Sequence, residues 1–115
     1  MALKILDTVE VIETMENYLT VIRPKPDIRP MLDISYEIKG QSVILNEIRP
    51  FWDNPSEIMT IPYAKATYTK AKNVWKIYWM RANLKWYPYG PRLTVKSLSD
   101  FLKIVDEDEC GCFKG

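Results

Sequence analysis

Apolar residues recur every three, four or seven positions near the N-terminus, every second position through the middle, and every three or four again near the C-terminus. The first period predicts a helix over about 4–22, on a stripe of Ile5, Val9, Ile12, Leu19 and Ile22 with Met15 beside it. Glu10, Glu13 and Glu16 fall off that stripe and read as solvated, and Asp7 or Thr8 is the expected cap. Pro24 and Pro26 end the helix, since proline cannot donate to the helical ladder and restricts the residue before it. Arg23 to Pro30, with three prolines, is a stiff connector.

The period then changes to two. Leu32, Ile34, Tyr36 and Ile38 alternate with Asp33, Ser35, Glu37 and Lys39, the mark of a half-buried strand. Gly40 supplies the positive φ of a turn, and Val43 to Arg49 returns as the second arm of a hairpin. Pro50, Asn54 and Pro55 make a loop, read first as a rigid turn with Phe51 and Trp52 tucked into the core and second as a binding loop carrying Arg49, Trp52 and Asp53. Further strands are predicted at Tyr63–Thr69, Val74–Met80 and Lys85–Tyr89, with a tight turn at Ala82-Asn83 and a stop at Gly90-Pro91. Leu98, Phe101, Leu102 and Val105 predict a final helix over about 97–106, opened by Ser97 with Asp100 in a capping-box spacing. Asp106-Glu107-Asp108-Glu109 then puts four acids at the helix end that the macrodipole disfavours for negative charge, so the helix is expected to fray or stop there, before an acidic tail over 106–115.

The element order α-β-β-β-β-β-α predicts an α+β fold. It is a single domain over 1–115, with a five-stranded antiparallel meander over about 31–89 and both terminal helices on one face. With the fifth strand in that register, Ala64, Ala66, Tyr68, Trp75, Ile77, Trp79 and Trp86 face the helices, and Lys65, Thr67, Lys76, Tyr78, Lys85, Tyr87 and Tyr89 face away.

Charge sharpens this picture. The net charge is +1, but residues 1–22 and 100–115 each carry −3, while 23–99 hold thirteen bases and six acids, +7. From Ile58 to Ser99 there are eight basic residues and no acid. Lysines neutralise phosphates and tyrosines stack on bases, so the outward face of the last three strands suits single-stranded nucleic acid. The same residues are also what an ordinary solvated sheet presents to water. Lys65, Lys76, Tyr78, Lys85, Tyr87, Arg49 and Arg81 are the candidate binding residues. Arg23, Arg29, Arg49 and Arg81 flank element ends and are weighed as an anion clamp.

Histidine is absent, which removes mechanisms that need an imidazole and most zinc sites. Cys110 and Cys112 lie together near the C-terminus and staple nothing distant, and the acids beside them work against thiol reactivity. No metal, cofactor or catalytic residue is expected. No run is apolar enough to cross a bilayer and no leader is evident, so a cytoplasmic protein without membrane contact is expected.

Tyr36-Glu37-Ile38-Lys39-Gly40-Gln41-Ser42-Val43, Glu47-Ile48-Arg49-Pro50-Phe51-Trp52, Val74-Trp75-Lys76-Ile77-Tyr78-Trp79, and Trp86 with Tyr89 resemble a family of small bacterial proteins. That family is a domain of unknown function, number three-zero-two-four. Arg23-Pro24 and Arg29 fit it too, and the resemblance runs from about the end of the first helix to Tyr89. It implies no activity, cofactor or site residue. Relatives with a histidine just after the last tryptophan differ from this chain, which has Tyr87 there.

The resulting expectation is a non-catalytic binding module for single-stranded nucleic acid. The alternative is a protein-interaction or self-assembly domain, with a homodimer expected because an open meander leaves strand edges to cover. Third is a small enzyme using Glu47, Asp53 and Glu57 as acid and base.

Overall fold

Period-two alternation builds one antiparallel sheet, and two helices cover one side of it. The computed structural model describes residues 5–113, with side chains from Thr8 onward. The elements are α1 (Ile5–Ile22), β1 (Asp33–Lys39), β2 (Ser42–Pro50), β3 (Ile58–Thr69), β4 (Val74–Met80), β5 (Trp86–Pro88), β6 (Thr94–Val95) and α2 (Leu98–Glu107). Strand order is β1-β2-β3-β4-β5, the expected α+β meander, with β6 also pairing β4. The expected helix start at residue 4, the side chain of Ile5 and the tail end at 114–115 lie outside the described residues.

β5 and β6 together form one interrupted edge. Both run antiparallel to β4, on Tyr78–Met80 and on Trp75–Lys76 respectively. Between them Ile77 keeps its ladder partners: its N–H donates to the Leu93 carbonyl at 3.0 Å, and its carbonyl accepts from Tyr89 N–H at 2.9 Å. β6 escapes a sequence reading because two residues are too short to show a period.

The core lies between the sheet and the helices. Val43, Leu45, Ala64, Ala66, Trp75 and Ile77 supply the sheet side, and Leu98, Phe101, Leu102 and Val105 supply α2, at the predicted spacing. Ser97 caps α2, its hydroxyl accepting from Asp100 N–H at 3.1 Å.

α1 differs from expectation. Its buried residues are Val11 and Met15, with Tyr18 packed beside them, whereas Val9 and Ile12 are exposed. Spacings of four and three turn a different stripe inward: Val11 and Met15 join the core, and Tyr18 reaches α2 through a 2.6 Å hydrogen bond from its hydroxyl to Asp106. Asp7 and Thr8 lie inside the helix rather than capping it.

β3 begins five residues earlier than predicted. Its Pro62 sits at an irregularity, where Leu45 pairs Ala64 and Asn46 pairs Pro62, leaving Tyr63 as the extra residue. A bulge is one of the few places a strand tolerates proline.

α2 stops among the four acids, at Glu107, and the chain beyond it turns back on the domain. Asp108 closes α2 in the left-handed region, at φ 42°, and its carboxylate accepts from Phe113 N–H at 3.0 Å. The chain thereby folds back, and Phe113 packs on Tyr89 with ring centroids 4.8 Å apart. Asp106 and Glu107 end the helix, Asp108 and Glu109 lead into the turn, and the phenyl ring belongs to the core.

Candidate functional site

The open face of the sheet is set out by strand register. One row across it is Lys39, Ser42, Thr67, Lys76 and Thr94; the next is Glu37, Ile44, Lys65, Tyr78 and Pro88. Met80 and Trp86 pair in the row beyond. Adjacent residues within a row are about 5 Å apart, so these side chains are neighbours.

Lys65 is the centre of the arrangement. Its ammonium lies 4.8 Å from the Tyr78 ring centroid and 5.0 Å from that of Trp86. Partial burial lowers the Lys65 pKa, since desolvation disfavours the charged form, while the ring faces attract the cation. Beside it the Ser42 and Thr67 hydroxyls bond at 2.7 Å. Lys76 stands exposed on the same face.

The expected face assignment fails at the fifth strand. Tyr87 pairs Trp79 and Tyr89 bonds Ile77, so both tyrosines lie on the helix side, and Tyr89 is 2 % exposed. Trp86, expected in the core, lies on the open face instead. The cause is one residue of loop. The Ala82-Asn83 reading implied a two-residue turn, but Arg81 N–H donates to the Lys85 carbonyl across three residues, and Leu84 takes φ 62°. An extra loop residue exchanges the two faces of the whole returning strand.

Lys85 therefore sits in the loop rather than on the open face. Arg81, Tyr87 and Lys85 belong to the hairpin tip and the helix side. There the Arg81 guanidinium lies 4.8 Å from the Tyr87 ring centroid and 5.5 Å from that of Trp79. Asn83 Nδ2 donates to the Tyr87 hydroxyl at 2.8 Å. Arg49 is elsewhere again, held by Glu47 at 2.9 Å. Of the seven candidates the fold thus unites Lys65, Lys76 and Tyr78, adds Trp86 and Lys39, and separates Arg49, Arg81, Lys85 and Tyr87.

The four-arginine clamp does not assemble. Arg23 is bound to Asp33 through two 2.7 Å hydrogen bonds, which hold the Asp33 carboxyl below its ordinary range, and Arg29 donates to the Pro24 carbonyl. These two line a cleft of about 520 Å³ beside β1. A second cleft, about 300 Å³, lies between α1, the start of α2 and the β3–β4 hairpin, and is lined by Val11, Tyr68, Trp75 and Lys96.

Of the proposed acid–base set, Glu47 is engaged by Arg49, and Asp53 and Glu57 lie exposed on the β2–β3 loop. That loop is ordered by Phe51 N–H donating to the Glu57 carbonyl at 3.0 Å, yet Trp52 projects from it 90 % exposed, contrary to the core placement expected. Cys110 and Cys112 are free thiols; burial, then the neighbouring Cys110 and Asp108, push the Cys112 thiol up.

No helix among the described residues is long and apolar enough to cross a membrane. No curated protein and no solved structure matches the chain. A family model does, across residues 3–115, and the chain belongs to that family, Domain of unknown function (DUF3024).

Proposed function

We propose that this chain is a non-catalytic binding module that takes single-stranded nucleic acid on the open face of its sheet. The observation that carries the reading is the Lys65 ammonium set between Tyr78 and Trp86, with Lys39 and Lys76 one row away. Lysines there would neutralise phosphates, and the two rings offer stacking area at about 1–3 kcal/mol per base. The acidic α2 supports it as well. This helix packs on the other side, against β3, β4, β6 and α1, and so leaves the lysine face uncovered.

The test is titration of a labelled single strand at low and moderate salt. Affinity should fall with a slope of about −0.7 per phosphate contact. It should drop sharply in Lys65→Glu with Lys76→Glu, and in Trp86→Ala. Binding that is absent at low salt, or indifferent to all three changes, rejects the reading.

A protein partner is the second reading, and the exposed Trp52 favours it, because an ordered loop presenting an indole is a common anchor at interfaces. Trp52→Ala should leave nucleic-acid binding intact if the first reading holds. A second copy of the chain is the remaining partner suggested by the sequence, and the free edge of β1 supports it.

A further inference from the structure

The two edges of the sheet are unequal. The β5–β6 edge is broken between Pro88 and Thr94, with Pro88 and Pro91 removing donors, which blunts it against pairing. β1 at the other edge is seven residues long, contains no proline, and pairs β2 along its whole length without irregularity.

The turn fixes which backbone groups that edge exposes. Gly40, at φ 56°, and Gln41 form a two-residue connection, so Lys39 and Ser42 close the hairpin as a mutually hydrogen-bonded pair. Alternation then directs Lys39, Glu37, Ser35 and Asp33 at β2, and turns the N–H and C=O of Ile34, Tyr36 and Ile38 outward. The Ile34 N–H agrees: it donates to the Asp33 carboxylate at 2.8 Å rather than to β2.

We propose that β1 pairs with β1 of a second copy, antiparallel about Tyr36, to form a twofold dimer with one continuous sheet. In that register Tyr36 lies opposite Tyr36, Ile34 opposite Ile38, Ser35 opposite Glu37 and Asp33 opposite Lys39. The strand is complementary to itself. Opposite charges meet at both ends, and isoleucines that are only half-buried at the margin of the core gain a neighbour. Tyr36 exchanges two backbone bonds with its copy, and each Ile38 N–H reaches an Ile34 carbonyl.

α1 supplies an independent observation. Its flank toward β1 is marked by Glu16, which accepts from the Tyr36 hydroxyl at 2.7 Å, and by Arg23, bound to Asp33. Val9 and Ile12 continue that flank at helical spacing, and they are 55 % and 41 % exposed. The twofold axis at Tyr36 brings the matching flank of the second copy toward them. Because the far edge is blunted, such pairing closes as a dimer instead of extending as a fibre.

Cross-linking tests the register. In a Cys110→Ser, Cys112→Ser background, Ser35 and Glu37 of opposite copies form a non-hydrogen-bonded pair with Cα atoms about 4.5 Å apart, within disulfide range. Ser35→Cys with Glu37→Cys should oxidise to a covalent dimer, while either single variant should stay monomeric on a non-reducing gel. Sedimentation of the unaltered chain should show a dimer, weakened several-fold by Lys39→Asp. A wild-type monomer at high micromolar concentration, no cross-link in the double variant, or equal cross-linking in the singles overturns the proposal.

Discussion

The two faces of this sheet are written in the same strands, one residue out of phase, and they meet different fates. On the helix side Trp75 and Ile77 are 7 % and 1 % exposed, against a complete layer of apolar neighbours. On the open side Lys76 is exposed and Tyr78 is half-buried, with Trp86 and Lys65 for company. The helix side needs its aromatics to exclude water from the core. The open side has no helix to hold, so its tyrosine and tryptophan stay half-buried beside Lys65, and this is the surface on which the proposed binding rests.

Mutation of neighbouring residues in β4 should expose this difference most strongly. Ile77→Ala removes a side chain with no room to collapse, and should cost about 2–5 kcal/mol in urea unfolding. Lys76→Ala, next to it, should change stability by no more than about 0.5 kcal/mol. Equal effects would mean that the faces are not segregated.

Alkali should loosen the helix side. Burial, then the Glu16 hydrogen bond, pushes the Tyr36 hydroxyl up to about 12, and burial with the nearby Cys110 does the same for Tyr89. Burial also raises Tyr18 and Tyr63. In the unfolded chain these phenols ionise near their ordinary 10.0. Between there and about 12 the folded state binds more protons, so stability is intact below pH 10 and falls as pH rises through that window. Urea midpoints at pH 9 and 11.5 check this, and Tyr36→Phe should flatten part of the decline.

Two smaller effects sharpen the comparison. Leu84 is 76 % exposed and held at φ 62°, a region unfavourable to leucine, so Leu84→Gly should raise stability by about 0.5–1 kcal/mol while preserving the register that puts Trp86 on the open face. Tyr63 buries a hydroxyl that finds no hydrogen-bond partner among the described residues, and Tyr63→Phe should be neutral or stabilising by up to about 1 kcal/mol.

The same residues show what the sequence could reveal. β4 is legible to the residue, because strong alternation and β-branched or aromatic side chains agree. α2 is legible because its cap and its stripe agree. The meander follows from short connections. The candidate surface was half legible: Lys65, Lys76 and Tyr78 follow from β3 and β4, whereas Trp86 was lost with the loop. Its left-handed residue is a leucine, where Gly or Asn would have signalled the longer turn. α1 misled because it carries two apolar stripes, and its tertiary contacts with α2 and β1, which the helix period does not contain, decide which turns inward. Phe113 was hidden by the acids before it, whose backbone turn returns the chain to the core.

Backbone and indole NMR shifts during titration with an unstructured single strand test the central claim most directly. Perturbations should centre on Lys65, Lys76, Tyr78 and the Trp86 indole, reach Lys39 and Thr67, and leave Phe101, Leu102 and Val105 of α2 in place. Shifts confined to the Trp52 loop or the helices, or no shifts at low salt, would contradict it.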